Sequence, residues 1–210
     1  MKKICFMFLL ILFAVFSISC TQNGIHNATN DENNNFEHLD SDPTSPYSTE
    51  DINSFMDSKY KTAKEAFFWF TASSMPSAEQ IVDFNNIKEI NGIYYYKVGH
   101  NSIKNLSDLE NYLKSLFSDE IVEMLFSVGK DRYIDIDGEL WASDASRGTN
   151  IYIGDVFYTI TEKSDSKIEY TATVEKLSDD LQTVDEICTY TYCYEKCENG
   201  WRWTDFSIFE

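Results

Sequence analysis

The stretch Tyr133–Tyr158, Y-I-D-I-D-G-E-L-W-A-S-D-A-S-R-G-T-N-I-Y-I-G-D-V-F-Y, decides how the chain is read. Two strand-like runs, Tyr133–Ile136 and Glu139–Ala142, are parted by Asp137-Gly138, a pair that supplies the positive φ of a tight hairpin. Ser143–Asn150 follows as a loop of small and polar residues carrying Asp144, Arg147 and Gly148. A further strand is expected from Ile151 to about Ile160. Polar groups set on a loop between rigid strands are where a β-rich domain usually keeps its contact surface.

Towards the C-terminus only strands are expected: Lys167–Leu177, Glu186–Lys196 and Trp201–Phe209, joined through Ser164-Asp165-Ser166 and Glu198-Asn199-Gly200. Towards the N-terminus helices dominate. Ile52, Phe55, Met56, Tyr60, Ala63, Ala66, Phe67 and Phe70 recur at steps of three and four, which predicts a long amphipathic helix. Ser48 is its expected N-cap, and the helix is expected to end near Ser73-Ser74, with Pro76 beyond. Ile81–Ile90 is ambiguous, Asn91-Gly92 marks a turn, and Ile93–Val98 reads as a strand. Ser107-Asp108-Leu109-Glu110 reads as a capping box opening a second helix, and Ser118-Asp119-Glu120 caps a third. The expected fold class is α+β. A long N-terminal helix and two short ones pack on a curved antiparallel sheet, a layout that resembles the cystatin-like cone.

Residues 1–20 read as a lipoprotein-type signal peptide rather than as fold. Lys2 and Lys3 precede the apolar run Ile4–Ile18, whose length of about 22 Å is short of a ~30 Å hydrocarbon core. Ser17-Ile18-Ser19-Cys20 resembles a bacterial lipobox, with Ser17 standing at −3 where Leu is usual. Lipid on Cys20 would hold the mature chain at the outer face of the membrane. Residues 21–47 are rich in Asn, Ser and Asp and read as a disordered tether. Residues 48–210 form the expected domain, long enough for a proper core.

The chain carries 17 basic and 35 acidic residues, a formal charge of −18. Loss of Lys2 and Lys3 with the signal would take this to −20. Such a balance opposes nucleic acid and anionic lipid and favours cationic partners or metal ions.

Motifs for catalysis are sparse. Of three histidines, only His100 lies in the domain, in a polar loop where an exposed histidine is ordinary. No Gly-rich phosphate loop, His-x-x-x-His pair or nucleophile elbow occurs, so no cofactor and no catalytic residue is assigned. Cys188, Cys193 and Cys197 fall on one expected strand, about 16 Å and 13 Å apart in sequence order. A disulfide needs Cα atoms within ~7 Å, so three free thiols are expected, and the same spacing opposes a thiolate zinc site. Asp131, Asp135, Asp137 and Glu139 resemble a calcium loop. However, Tyr133 stands where an oxygen ligand is required, and no helices flank the run.

Several runs, taken in order, carry a resemblance. They are Tyr94-Tyr95-Tyr96-Lys97-Val98, Ile103–Leu109 with Tyr112-Leu113, Phe117-Ser118 with Ile121-Val122, Asp137–Trp141 leading into Ser143–Gly148, and Asn199–Trp203. Together they resemble the DL-endopeptidase inhibitor (IseA-like) family of Gram-positive bacteria. The resemblance spans roughly Ala63 to Phe209. It implies a protein that does no chemistry itself and binds a cell-wall DL-endopeptidase, an NlpC-type cysteine peptidase, so restraining autolysis. The three domain cysteines and the tether depart from that family's pattern. On this reading Asp144 would mimic a substrate carboxylate, Arg147 would shape the loop or anchor the enzyme, and Asp135 and Asp137 are further contact candidates. The competing reading is a small-ligand or peptide binding module of the same cone shape. Its pocket would be lined by Phe67, Trp69, Tyr94, Tyr96, Tyr190 and Tyr192, unless those rings simply fill the core.

Overall fold

The computed structural model describes residues 49–77 and 86–209, all within one compact unit, Leu39–Glu210. The expected signal segment, Cys20, the tether and the Ser48 cap lie outside the described residues. Within them the class is α+β: three helices and two antiparallel sheets of four strands each.

Helix α1 spans Thr49–Thr71. Its buried positions, Ile52, Met56, Tyr60, Ala63, Ala66, Phe67 and Phe70, repeat at helical spacing and form a continuous stripe. Fully burying a large apolar side chain of this kind contributes about 1.5–3 kcal/mol. The helix stops where Ala72 N–H and Ser73 N–H both turn back to Phe68 O at 2.9 Å. The Arg132 guanidinium then covers the orphan carbonyls, donating through Nη1 to Ser73 O at 2.7 Å and Trp69 O at 3.3 Å. A cation there also complements the helix dipole.

Strands β1 (Ile87–Ile90), β2 (Ile93–Lys97), β3 (Tyr133–Ile136) and β4 (Glu139–Ser143) make the first sheet in the order β1-β2-β4-β3. Both its hairpins close through two-residue turns at positive φ, Asn91-Gly92 (53° and 80°) and Asp137-Gly138 (56° and 78°). This is the type I′ geometry that matches strand twist, and the glycine carries the second positive φ without a Cβ penalty. Asp135 Oδ1 accepts from Gly138 N–H at 2.9 Å and locks the second turn. The β2–β4 pairing, Tyr96 opposite Ala142, joins strands that are separated in sequence by two helices.

Helix α2 (Leu106–Leu116) is capped two residues before the expected position. Asn105, extended at φ −145°, accepts from Asp108 N–H at 2.9 Å, and Asp108 in turn accepts from Lys104 N–H at 2.9 Å. Asp108 thus reaches back past the cap to Lys104, and Asn105 fills the role assigned to Ser107, being an equally good N-cap residue. Helix α3 (Asp119–Val128) starts after Ser118, whose side chain caps no backbone N–H; Asp119 and Glu120 supply first-turn negative charge instead. It ends at Gly129, where an added Cβ would lie 2.7 Å from Phe70 Cδ1. Only glycine lets the Phe70 ring come that close.

Strands β5 (Ile153–Lys163), β6 (Lys167–Leu177), β7 (Val184–Cys197) and β8 (Gly200–Asp205) form the second sheet as a meander. The expectation of a single sheet is therefore corrected to two. The physical reason is that β4 finds its partners in β2 and β3, while the chain after it reaches β5 without a further strand pairing. Tyr60 of α1 packs on this second sheet, its ring 5.0 Å from Tyr158 and from Tyr192 and 5.5 Å from Tyr170. Ten residues on, Phe70 meets Tyr133 of the first sheet at 5.0 Å. One helix thus seals both sheets, and the α2–α3 junction joins in through Ser118 N–H donating to Trp203 O at 2.9 Å.

Candidate functional site

The loop after β4 is exposed at its tips and tied down along its backbone. Asp144 and Ser146 through Asn150 are exposed. Ser74 N–H donates to Ala145 O at 2.9 Å, Arg147 N–H donates to Ala72 O at 2.8 Å, and Ser73 and Ser146 form an isolated antiparallel bridge. The Ser74 hydroxyl adds a hydrogen bond to Ser143 O. The loop is therefore stitched to the few residues that follow α1, which are themselves anchored by Arg132. Tyr133 strengthens the same corner. Its buried hydroxyl donates to Trp69 O at 2.8 Å and accepts from Met75 N–H at 3.0 Å, and burial pushes its pKa upward.

Between these two segments lies a groove of about 450 Å³. Ser73–Ser77 form one wall, Ala142–Ser146 the other, and Tyr96 of β2 closes one side. The lining is small and hydroxyl-rich, with Asp144 as its carboxylate. Such a surface can accept and donate hydrogen bonds along an extended ligand, and it holds no base–nucleophile pair. Of the groove residues, Asp144 and Tyr96 carried a functional reading in the sequence, for different reasons. Ser73, Ser74 and the bracing Arg132 carried none, because their roles depend on contacts that join residues some 60–70 positions apart.

The four contact candidates do not converge. Asp144 and Arg147 share the pinned loop. Asp135 and Asp137 sit at the opposite end of β4, about 15–20 Å away by strand rise. There Asp135 holds the turn and Asp137 lies 3.8 Å from Lys88 Nζ, both of them exposed.

His100 is half-buried rather than open, its ring edge-on to Trp69 at 5.9 Å and tilted against Tyr112 at 6.1 Å. Its Nδ1 accepts from Ile103 N–H at 3.1 Å and Ser102 N–H at 3.3 Å, so it fastens the turn before α2. Burial, aided by Lys104, lowers its pKa. The aromatic residues proposed to line one pocket are dispersed. Phe67, Trp69 and Tyr192 are buried in the core, Tyr94 is exposed, Tyr96 faces the groove, and Tyr190 packs on Phe209 at 5.1 Å. Cys188, Cys193 and Cys197 are free thiols. Cys197 pairs across the hairpin with Gly200 and Cys193 with Asp205, with a bulge between Cys193 and Tyr194 in the β7–β8 pairing.

No protein-family model matches the chain, and no curated protein matches it either.

Proposed function

We propose that the chain is an extracytoplasmic protein, lipid-anchored through Cys20 and built on a cystatin-like cone, that binds and inhibits a cell-wall DL-endopeptidase. It blocks the peptidase cleft and breaks no bond itself. The observation that carries this reading is the loop after β4: Asp144 and Arg147 are exposed while the backbone between them is pinned to the end of α1. A display held in advance of binding avoids the ordering cost that a slack loop would bring. The peptidase substrate carries several carboxylates, so a groove shaped for anions suits Asp144, and the acidic balance of the chain favours that approach. The test is the paired substitution Asp144→Ala with Arg147→Ala, assayed against a DL-endopeptidase cutting wall peptides. A rise of at least tenfold in the inhibition constant, at unchanged melting temperature, is expected. Undiminished inhibition would remove the loop from the mechanism.

The second reading, a peptide or small-ligand binding module without inhibitory action, draws on the hydroxyl-lined groove beside the same loop. It predicts direct binding of a wall tetrapeptide to the purified chain with no effect on peptidase rate, and loss of that binding on Tyr96→Ala.

A further inference from the structure

A second surface, at the far end of the second sheet, is independent of the loop after β4. Half of the large apolar side chains exposed among the described residues gather there: Ile151, Tyr152, Phe157, Leu181, Val184 and Ile187. The strand register explains the grouping. Ile153 lies opposite Lys176 and Leu177 opposite Val184, which brings the start of β5, the end of β6 and the start of β7 to one tip. Phe157 faces Thr173, which faces Thr189, while Ile187 faces Glu175. Phe157 and Ile187, 59% and 64% exposed, therefore stand on the same outer face, opposite the face that α1 covers through Tyr158, Tyr170 and Tyr192. Leu181 adds strain to exposure, since it is a leucine at φ 56° in the Ser178–Thr183 turn.

The edge of this tip is also open. β8 pairs with β7 only over Cys193–Cys197, so Val184–Thr189 have strand partners on the β6 side alone among the described residues. Proteins commonly blunt a free edge with proline, lysine or a bulge. Val-Asp-Glu-Ile-Cys-Thr contains neither residue and has a single bulge, at Asp185 near its start, whereas the opposite edge, β5, is broken by two. Beyond the bulge at Asp185, what guards the β7 edge is charge. Glu175, Asp179, Asp180, Asp185 and Glu186 lie in and beside it, and Lys176 lies 3.6 Å from Glu186. Two copies meeting edge to edge would set these carboxylates against each other, and an anionic lipid surface would be repelled in the same way. A strand with basic side chains meets no such barrier.

We infer that Val184–Thr189 is a strand-addition site for an extended, cationic segment of a partner protein, one that alternates basic and apolar residues. Its backbone would extend the sheet beyond β7. Its apolar side chains would cover Ile187 on the outer face, and its cations would meet Asp185 and Glu186.

The probe is a capped octapeptide of alternating Lys and Val, added to the full chain in mild detergent and followed by amide hydrogen exchange and calorimetry. Expected are saturable binding that weakens as salt rises, at least tenfold slower exchange of amides within Val184–Thr189, and no change at 143–150. Asp185→Lys with Glu186→Lys should weaken binding at least tenfold, and Ile187→Ser about fivefold, each with the melting temperature retained. An alternating Glu-Val peptide should not bind. Slowed exchange at any other site, equal binding by the Glu-Val peptide, indifference to the double charge reversal, self-association through β7 in sedimentation, or β7 protection by anionic vesicles would each overturn the proposal. The inhibition assay with Asp144 and Arg147 substituted reads the other surface, so either idea can fail alone.

Discussion

The loop after β4 and the tip of the second sheet are both exposed, yet they are held by different means. The loop borrows its order from residues far off in sequence: Ala72 O, Ser74 N–H and the Arg132 brace on the end of α1. The tip supplies its own. Asp180 Oδ1 accepts from Thr183 N–H at 2.8 Å, Gln182 N–H at 2.9 Å and the Ser178 hydroxyl at 2.8 Å, while Oδ2 accepts from the Thr183 hydroxyl at 2.6 Å. These donors, the Thr183 hydroxyl foremost, hold the Asp180 pKa well below the usual carboxylate range. Long-range stitching ties the order of one surface to the core; a local side-chain turn leaves the other nearly independent of it.

The comparison is tested hardest at Phe70, which is fully buried at the end of α1 against Phe126, Tyr133 and Gly129. Phe70→Ala should cost about 3–5 kcal/mol by chemical denaturation, as large-to-small changes in cores do. Hydrogen exchange should show protection lost first over 143–147, with the β6–β7 amides near the tip holding longer. Simultaneous loss at both places would mean that the two surfaces share one cooperative fate.

A pair of turn substitutions sharpens the contrast with smaller effects of opposite sign. Gly138→Ala places a Cβ at φ 78° and should destabilise by about 1 kcal/mol. Leu181→Gly relieves φ 56° at the tip and should stabilise by up to about 1 kcal/mol, the unfolded-state entropy of glycine offsetting part of the gain. Both are read as shifts in the urea midpoint at constant slope. If Leu181→Gly destabilises, the leucine side chain holds the tip rather than straining it.

The smallest expected effect is a pH dependence at the turn before α2. The folded pKa of His100 is depressed, so its contribution is present above the unfolded value of about 6.5 and is lost as pH falls through the folded value. Protonation at Nδ1 would also displace the two N–H donors from Ile103 and Ser102. Stability measured from pH 7.5 to 5 should fall with a component that His100→Gln removes. A slope that survives the substitution would place the titration elsewhere.

Legibility in the sequence followed the range of the interactions. The Asp137-Gly138 hairpin could be read directly, because type I′ chemistry is carried by two adjacent residues. β6 lies where it was expected, Lys167–Leu177, just after the Ser164-Asp165-Ser166 turn. The start of α2 was missed by two residues because Asn105 and Ser107 are both competent caps, and only the hydrogen bond from Asp108 N–H to Asn105 Oδ1 distinguishes them. The groove could not be read at all. Its walls are joined by Ser74 to Ser143 and Ala145, and by Arg132 to Ser73, pairs without any signature of spacing.

The sequence by itself determined the α+β class, the stripe of α1 and the hairpin turns. Each of these rests on periodicity or on a backbone preference that acts within a few residues. Tertiary structure alone decided that the strands part into two sheets and that Asp135 and Asp137 lie away from Asp144. It also decided that the edge of β7 stays open beyond β8. Those outcomes depend on which distant segments win the competition for burial and pairing, a choice made among whole-chain arrangements that no local pattern encodes.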